Sequence, residues 1–296
     1  MDQQNSTPKT TESAANLAKN RLYHDCYQFM QSDSLDLPTI PDVAFNIKRA
    51  INDSSANNNK IARVVQIDPS ITARLIKISN SPLYRGRRKI ESCPEALTRL
   101  GLKSAQQIIT TFALKGIFNA ASPLIRKKMH ELWLHSSYVA AISAVLAHKT
   151  PGFDPDKAML AGLIHDIGIV PILTYADQNP DILATPKDLT ETVRKLRIKI
   201  GVQILQKWDF HEDFSNVIVN SENWQRDEQE APDYADIVMI SQLHSYIGKI
   251  DPKRMPKLDQ LPAYHKLVSG NLDADASINI LDQAKNEIND IQKLLL

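Results

Sequence analysis

The sequence predicts an all-α protein folded as a compact multi-helix body. Three observations carry this reading. Glycine is scarce, at 9 of 296 residues, whereas sandwiches and barrels need many tight turns. Aromatic residues are only 6% of the chain, which is thin for strands that pack through aromatic and β-branched side chains. Apolar residues recur at steps of three and four along most of the chain, the period of a helix with one buried face.

The elements follow in order. Residues 1–20 are rich in Gln, Asn, Ser and Thr and bury too little to stay ordered alone, so a polar, frayed tail is expected. A helix is expected over Leu22–Met30. Leu37-Pro38-Thr39-Ile40-Pro41 stops it, because proline lacks a donor and restricts the residue before it. Short helices fill Asp42–Ile117. Val43, Ile47 and Ala50 share a face in the first. Asp68-Pro69 is a helix start, with Asp capping free amides and Pro at the first helical position. Ile71, Leu75 and Ile78 follow at helical spacing, and Asn80-Ser81-Pro82 ends that helix. Gly101 breaks the chain before Ile108, Ile109, Phe112 and Leu114.

A long helix is expected over Met129–Lys149, with His135, Val139, Ile142 and Leu146 on one face. Another spans Asp156–Ile167 and is stopped by Gly168 and Pro171. Leu196–Lys207, Phe214–Trp224 and Tyr234–Ile247 also read as helices. In Ile278–Leu296, residues Leu281, Ala284, Ile288, Ile291 and Leu295 form a heptad-like stripe. Such a stripe packs either on the body or on a second copy of the chain, as a homodimer seam. The division expected is a tail at 1–20, a domain at 21–250 with halves at about 21–125 and 126–250, and a linker with an amphipathic helix at 251–296.

Composition excludes several function classes. Lys plus Arg is 35 and Asp plus Glu is 34, a net charge of +1, so neither nucleic acid nor a membrane surface is an expected partner. No apolar run approaches the roughly 18 residues of a membrane helix, and no signal-peptide core precedes the polar tail. Cys26 and Cys93 lie far apart and fit reduced thiols of a cytoplasmic protein.

The sharpest local signal is Gly162-Leu163-Ile164-His165-Asp166-Ile167-Gly168. An adjacent His-Asp pair in an apolar helix is costly to bury unless it finds partners. His135, on the apolar face of its own helix, also points inward. Two imidazoles and a carboxylate can hold a divalent metal. A bound metal can lower the pKa of a water for attack on a phosphate ester. Trp133 and Trp208 read as core residues.

His135 followed by His165-Asp166 resembles the HD superfamily of metal-dependent phosphohydrolases. The flanking motifs narrow this to its HDOD branch. Leu37 to Pro41, Asp68 to Leu75, Asn80 to Tyr84 and Ala96 to Gly101 are similar to that family's N-terminal half. Leu132-Trp133-Leu134-His135-Ser136 and Gly201 to Trp208 are similar to its C-terminal half. The resemblance spans about residues 30–250. It implies a compact α-helical, HD-like domain of bacterial signal transduction, often without demonstrable catalysis.

The chain departs from that pattern where the chemistry would close. Gln242 stands where an active HD site has an Asp in a late helix, and an amide lacks the charge a hard cation favours. Asp236 and Asp233 fall on other faces of that helix. Where related domains carry further histidines, before and after Trp208, this chain has Arg197 and Ser221-Glu222, and His211 replaces the usual Pro. His135, His165 and Asp166, with Gln242, are thus either a residual metal or phosphate site or a hydrogen-bonded cluster that packs helices. The missing ligand favours the cluster, with no cofactor expected and no catalytic residue assigned. The expected role is a regulatory signalling protein that binds other signalling proteins. The alternatives are a metal-dependent phosphohydrolase that tolerates Gln242, and a receptor for a nucleotide second messenger. Arg85, Arg87, Arg88 and Lys89 form a basic cluster that could hold a phosphate or an acidic partner, or be a solvated loop.

Overall fold

The computed structural model describes residues 20–53, 57–182, 185–227, 230–251, 255–269 and 284–296, and among these there is no β-strand. The N-terminal half contains α1 (Arg21–Gln31), α2 (Asp42–Asn52), α3 (Asn58–Val65), α4 (Pro69–Ser79), α5 (Cys93–Leu100) and α6 (Leu102–Ala113). The second half is built on α7 (Pro123–Lys149). Around it lie α8 (Pro155–Ile164), α9 (Ile169–Gln178), α10 (Pro186–Lys207), α11 (Glu212–Asn220) and α12 (Tyr234–Tyr246). Helices α13 (Pro262–Ser269) and α14 (Lys285–Leu295) complete the described chain.

Helix starts follow from side-chain caps. Asp68 accepts from the amides of Ser70 and Ile71 at 2.9 and 3.0 Å, with Pro69 at the first position. Ser122-Pro123, Asp154-Pro155 and Thr185-Pro186 repeat the device. Each such cap stabilises its helix by about 1 kcal/mol. The long helices therefore begin earlier than their apolar periodicity suggests. The first turns of α7 and α10 each bury one apolar residue, Ile125 and Leu189, too few to show a period, so the caps mark them.

The core centres on α7, which is enclosed on all sides over Val139–Ala147. Each fully buried Val, Leu or Ile there contributes roughly 1.5–3 kcal/mol. Helix α7 packs on α8, α12 and α14, and α6 packs on α8 to join the halves. The face of α4 formed by Ile71, Leu75 and Ile78 is buried as expected, as are Trp133 and Trp208. In α2, Ile47 is buried beside Ala44, while Val43 and Ala50 are half-buried.

Two expectations are corrected. The helix expected over Asp156–Ile167 ends at Ile164, and residues 165–168 form a turn. Pro171 does not stop a helix. It lies in the first turn of α9, where amides have no intrahelical acceptor and proline loses nothing. The second correction concerns membrane length. Pro155–Gln178 contains an 18-residue window of mean hydropathy 1.6, long and apolar enough to span. That window is 83% buried inside the fold, so its apolarity serves the core.

The described part of the C-terminal stripe docks on its own chain. Ala284, Ile288, Ile291 and Leu295 are buried, and α14 packs on α7 and α4. Ile278 and Leu281 lie outside the described residues.

One backbone crossing positions everything that follows. At Gly168, just before α9, a Cβ would overlap the Arg197 carbonyl oxygen and lie 2.7 Å from the Gly201 amide nitrogen. Helix α10 therefore touches the 165–168 turn backbone to backbone. Gly168→Ala is expected to cost at least about 3 kcal/mol, because rigid backbone must move apart. Gly116→Ala, where a Cβ meets nothing within 4 Å, is expected to change stability by less than about 0.5 kcal/mol. Chemical denaturation of both variants checks this.

Candidate functional site

His165 and Asp166 occupy the turn that ends α8, not the helix interior. His165 Nδ1 lies 2.7 Å from the Gly162 carbonyl oxygen, one of the acceptors left free at a helix end. This bond fixes Nδ1 as the protonated nitrogen and turns Nε2 toward Asp166 Oδ2, 3.3 Å away. His135 reaches the same place from α7, with its ring centroid 5.3 Å from that of His165. The ligand-type atoms of His135, His165 and Asp166 all lie within 4.8 Å of one another. Gln242, wholly buried on α12, joins them through Tyr246, which stacks on His135 at 5.7 Å and 7°. The structure brings His135, His165 and Asp166 together, and Gln242 is linked to them through Tyr246 and Glu222.

Arg197 decides the electrostatics. Its Nη1 donates to Asp166 Oδ1 and its Nη2 to Glu222 Oε2. The Glu222 carboxylate also accepts from Gln242 Nε2 at 3.1 Å, and Gln242 Nε2 lies 2.8 Å from Tyr246 Oη. The chain Asp166–Arg197–Glu222–Gln242–Tyr246 is thus continuous. Burial opposes charge on Asp166, but His165 and Arg197 outweigh it and hold its carboxyl well below the usual range. Burial also opposes charge on His165, yet the adjacent carboxylate and the Gly162 carbonyl raise its pKa. His135 goes the other way. Burial, then His165, pulls it down to about 4 against the attraction of Asp166, so its ring is neutral at neutral pH.

This set does not fit a catalytic dication. Only one of the three clustered groups is a carboxylate, and its charge is already met by a guanidinium. The closing position holds an amide whose nitrogen is directed at Glu222. Gln242 Oε1 is buried without a hydrogen-bond partner, and His165 Nε2 faces the Asp166 carboxylate at 3.3 Å. A dication here would face the Arg197 guanidinium already bonded to Asp166. A hollow of about 590 Å³ opens onto Asp166, Arg197 and Glu222, flanked by Arg194. Neither histidine nor Gln242 is among its lining residues.

Other candidates lie elsewhere. Asp236 faces Arg226 and Lys266 at 3.5 and 4.0 Å, away from the cluster, as its helical position implied. Arg85, Arg87, Arg88 and Lys89 are all exposed. Arg88 pairs with Glu95 at 2.5 Å. Neighbouring Tyr84 donates to Asp156 at the start of α8, about 14 Å along that helix from His165. The basic loop and the His-Asp cluster are therefore separate. Tyr246 is the participant that sequence reading missed, although its i+4 spacing from Gln242 was a visible signal.

The HDOD domain model matches residues 37–224, which include His135, His165, Asp166, Arg197 and Glu222. The chain belongs to the HDOD domain family. This HDOD protein is similar to a crystal structure from Shewanella amazonensis SB2B, provisionally named a metal-dependent phosphohydrolase. The TM-score is 0.82 at 26% identity, covering 94% of this chain and 99% of that one. An HDOD domain protein of unknown function from Geobacter sulfurreducens shares the fold, with a TM-score of 0.65 at 21% identity over 94% and 97% of the two chains. An uncharacterised protein of Treponema pallidum (strain Nichols) is 22% identical over 200 residues, 62% of this chain. The aligned region spans 37% of that relative's length.

Two outcomes are expected. Arg197→Leu leaves the buried Asp166 without its guanidinium and with His165 as its remaining partner, and should cost about 3–5 kcal/mol. Adding Asp166→Asn should recover at least half of that loss, measured as a double-mutant cycle by urea unfolding. The second concerns Asp156, whose carboxyl is pushed up to about 6 by burial, against its hydrogen bond from Tyr84. A raised carboxyl pKa stabilises the fold below the ordinary carboxylate value. That contribution is lost as pH rises from about 4 through about 6, on the order of 3 kcal/mol. Asp156→Asn should flatten this part of the stability profile.

Proposed function

We propose that this HDOD protein is a non-catalytic regulatory module that acts by binding partner proteins of a signalling pathway. The observation that supports it most directly is the Arg197 guanidinium, bonded to Asp166 and Glu222 at the carboxylate a metal would need. Fold alone does not assign a reaction, and Asp166, the one carboxylate of the His135–His165–Asp166 trio, is already paired with Arg197. What the cluster does provide is a tie between α7, the 165–168 turn, α10 and α12. The hollow above it offers a partner Arg194, Arg197 and Glu222 around exposed Val219.

A second reading, a metal-dependent phosphohydrolase, is favoured by the close approach of His135, His165 and Asp166. One experiment separates the two. The protein is purified without a metal-binding tag, soaked with manganese, iron or zinc, dialysed, and measured for metal content and for hydrolysis of bis(p-nitrophenyl) phosphate. Substoichiometric metal and no metal-dependent hydrolysis are expected. A stoichiometric metal lost in His165→Ala, with hydrolysis, would sink the regulatory reading. The triple variant Arg197→His, Glu222→His, Gln242→Asp is expected to gain metal, because it removes the internal cation and supplies a carboxylate.

A further inference from the structure

A second cavity lies where two of the sequence motifs meet, away from the His-Asp cluster. Trp208 Nε1 donates to the Pro38 carbonyl oxygen at 2.8 Å, joining the Leu37–Pro41 segment to the end of α10. Beside this bond is a cavity of about 220 Å³. Its volume is below the roughly 300–1,000 Å³ of pockets for drug-sized molecules, so it suits a single ring system.

The walls are chemically mixed in an informative way. Trp208, Phe210 and Phe214 form an aromatic array, with centroids 5.7 Å apart for the first pair and 5.3 Å for the second. Opposite them, Gln106 and Gln107 of α6 line the cavity. Gln107 Oε1 is buried and has no hydrogen-bond partner. A buried acceptor in this state calls for a donor, and a purely apolar guest would leave it unmet. Lys48 and Lys103 stand at the rim. Lys48 is held by Asp209, whose backbone adopts a φ of 53° to reach it. Lys103 is 79% exposed and only 3.9 Å from Asp154, a contact too loose to neutralise it.

We propose that this cavity binds a nucleobase-sized planar N-heterocycle bearing a phosphate. The ring would lie against the Trp208–Phe210–Phe214 array, where aromatic faces attract any base. An N–H on its edge would satisfy Gln107 Oε1 once that amide, now closed to water, turns into the cavity it lines. The phosphate would rest outside, on Lys103, and on Lys48 in exchange for its exposed partner Asp209. None of this depends on whether the His-Asp cluster is catalytic.

The test uses the full chain and five probes: AMP, GMP, adenosine, guanosine and inorganic phosphate. Thermal unfolding and tryptophan fluorescence are followed with each at millimolar concentration. At least one nucleotide is expected to raise the melting midpoint and quench fluorescence. Its nucleoside should bind about tenfold more weakly, and phosphate alone should do nothing. Gln107→Leu keeps the volume but removes the acceptor, and Ala44→Leu fills the cavity from α2. Both variants should unfold cooperatively without ligand and lose the nucleotide response. Double substitution Lys48→Ala, Lys103→Ala should bring nucleotide affinity down to that of the nucleoside. The proposal is overturned if no nucleotide shifts the midpoint, if phosphate alone shifts it equally, or if the response survives in both cavity variants.

Discussion

Asp166 is a carboxylate with 7% of its surface exposed, and such a group must find its counter-charge inside the protein. It finds Arg197, which stands one helical turn before Gly201 on α10. Bringing a guanidinium to that point requires α10 to run against the 165–168 turn at backbone contact. Gly168 and Gly201 permit it, because neither carries a side chain at the crossing. The crossing in turn fixes where α9 starts and how α10 presents Glu222's partner. The ion pair and the glycine contact are two aspects of one constraint. Loosening the backbone would strand the charge, and removing the charge would leave the close crossing with less to hold it.

The departures from an HD ligand set also form a single arrangement. Glu222 accepts from both Arg197 and Gln242. An Asp at position 242 would instead set a second carboxylate against Glu222. With Glu222 present, the amide is the residue that satisfies the site electrically. Arg197, Glu222 and Gln242 are therefore mutually dependent, and none of the three is simply an eroded ligand. The raised pKa of His165 and the lowered one of Asp166 reflect the same closure, since each stabilises the other's charge.

Much of the fold was legible from periodicity and caps. Ile71, Leu75 and Ile78 and the Val139–Ala147 run lie in the core because a helix repeats every 3.6 residues. The boundaries that were missed have local causes. Pro171 was read as a stop, although the first turn of a helix tolerates proline. The openings of α7 and α10 carry one buried apolar residue each, Ile125 and Leu189, too few to show a helical period. At the site, His135, His165 and Asp166 were visible as chemistry out of place in apolar segments, and Gln242 only through the family resemblance. The role of Arg197 was not. Its partners are 31 residues before it and 25 after it, and no local pattern reports a charge pair across that separation. Sequence showed Arg197 only as a departure, whereas the structure shows it paired with Asp166 and Glu222.

Packing gives the two histidines a role that needs no metal. His135 stacks flat on Tyr246 of α12 and edge-on to His165 in the turn. Its neutral ring therefore fills the junction of α7, α12 and the end of α8 without bringing a charge. Replacing it with a smaller residue would open a void among three elements. A protonated ring would add a third cation to a network already balanced by two carboxylates. Side chains that face inward closely enough to hold a metal are, by the same geometry, placed to hold helices together. Retention of the His-Asp pair is consequently weak evidence for hydrolysis in this chain. The position of the guanidinium relative to the pair is the more informative feature.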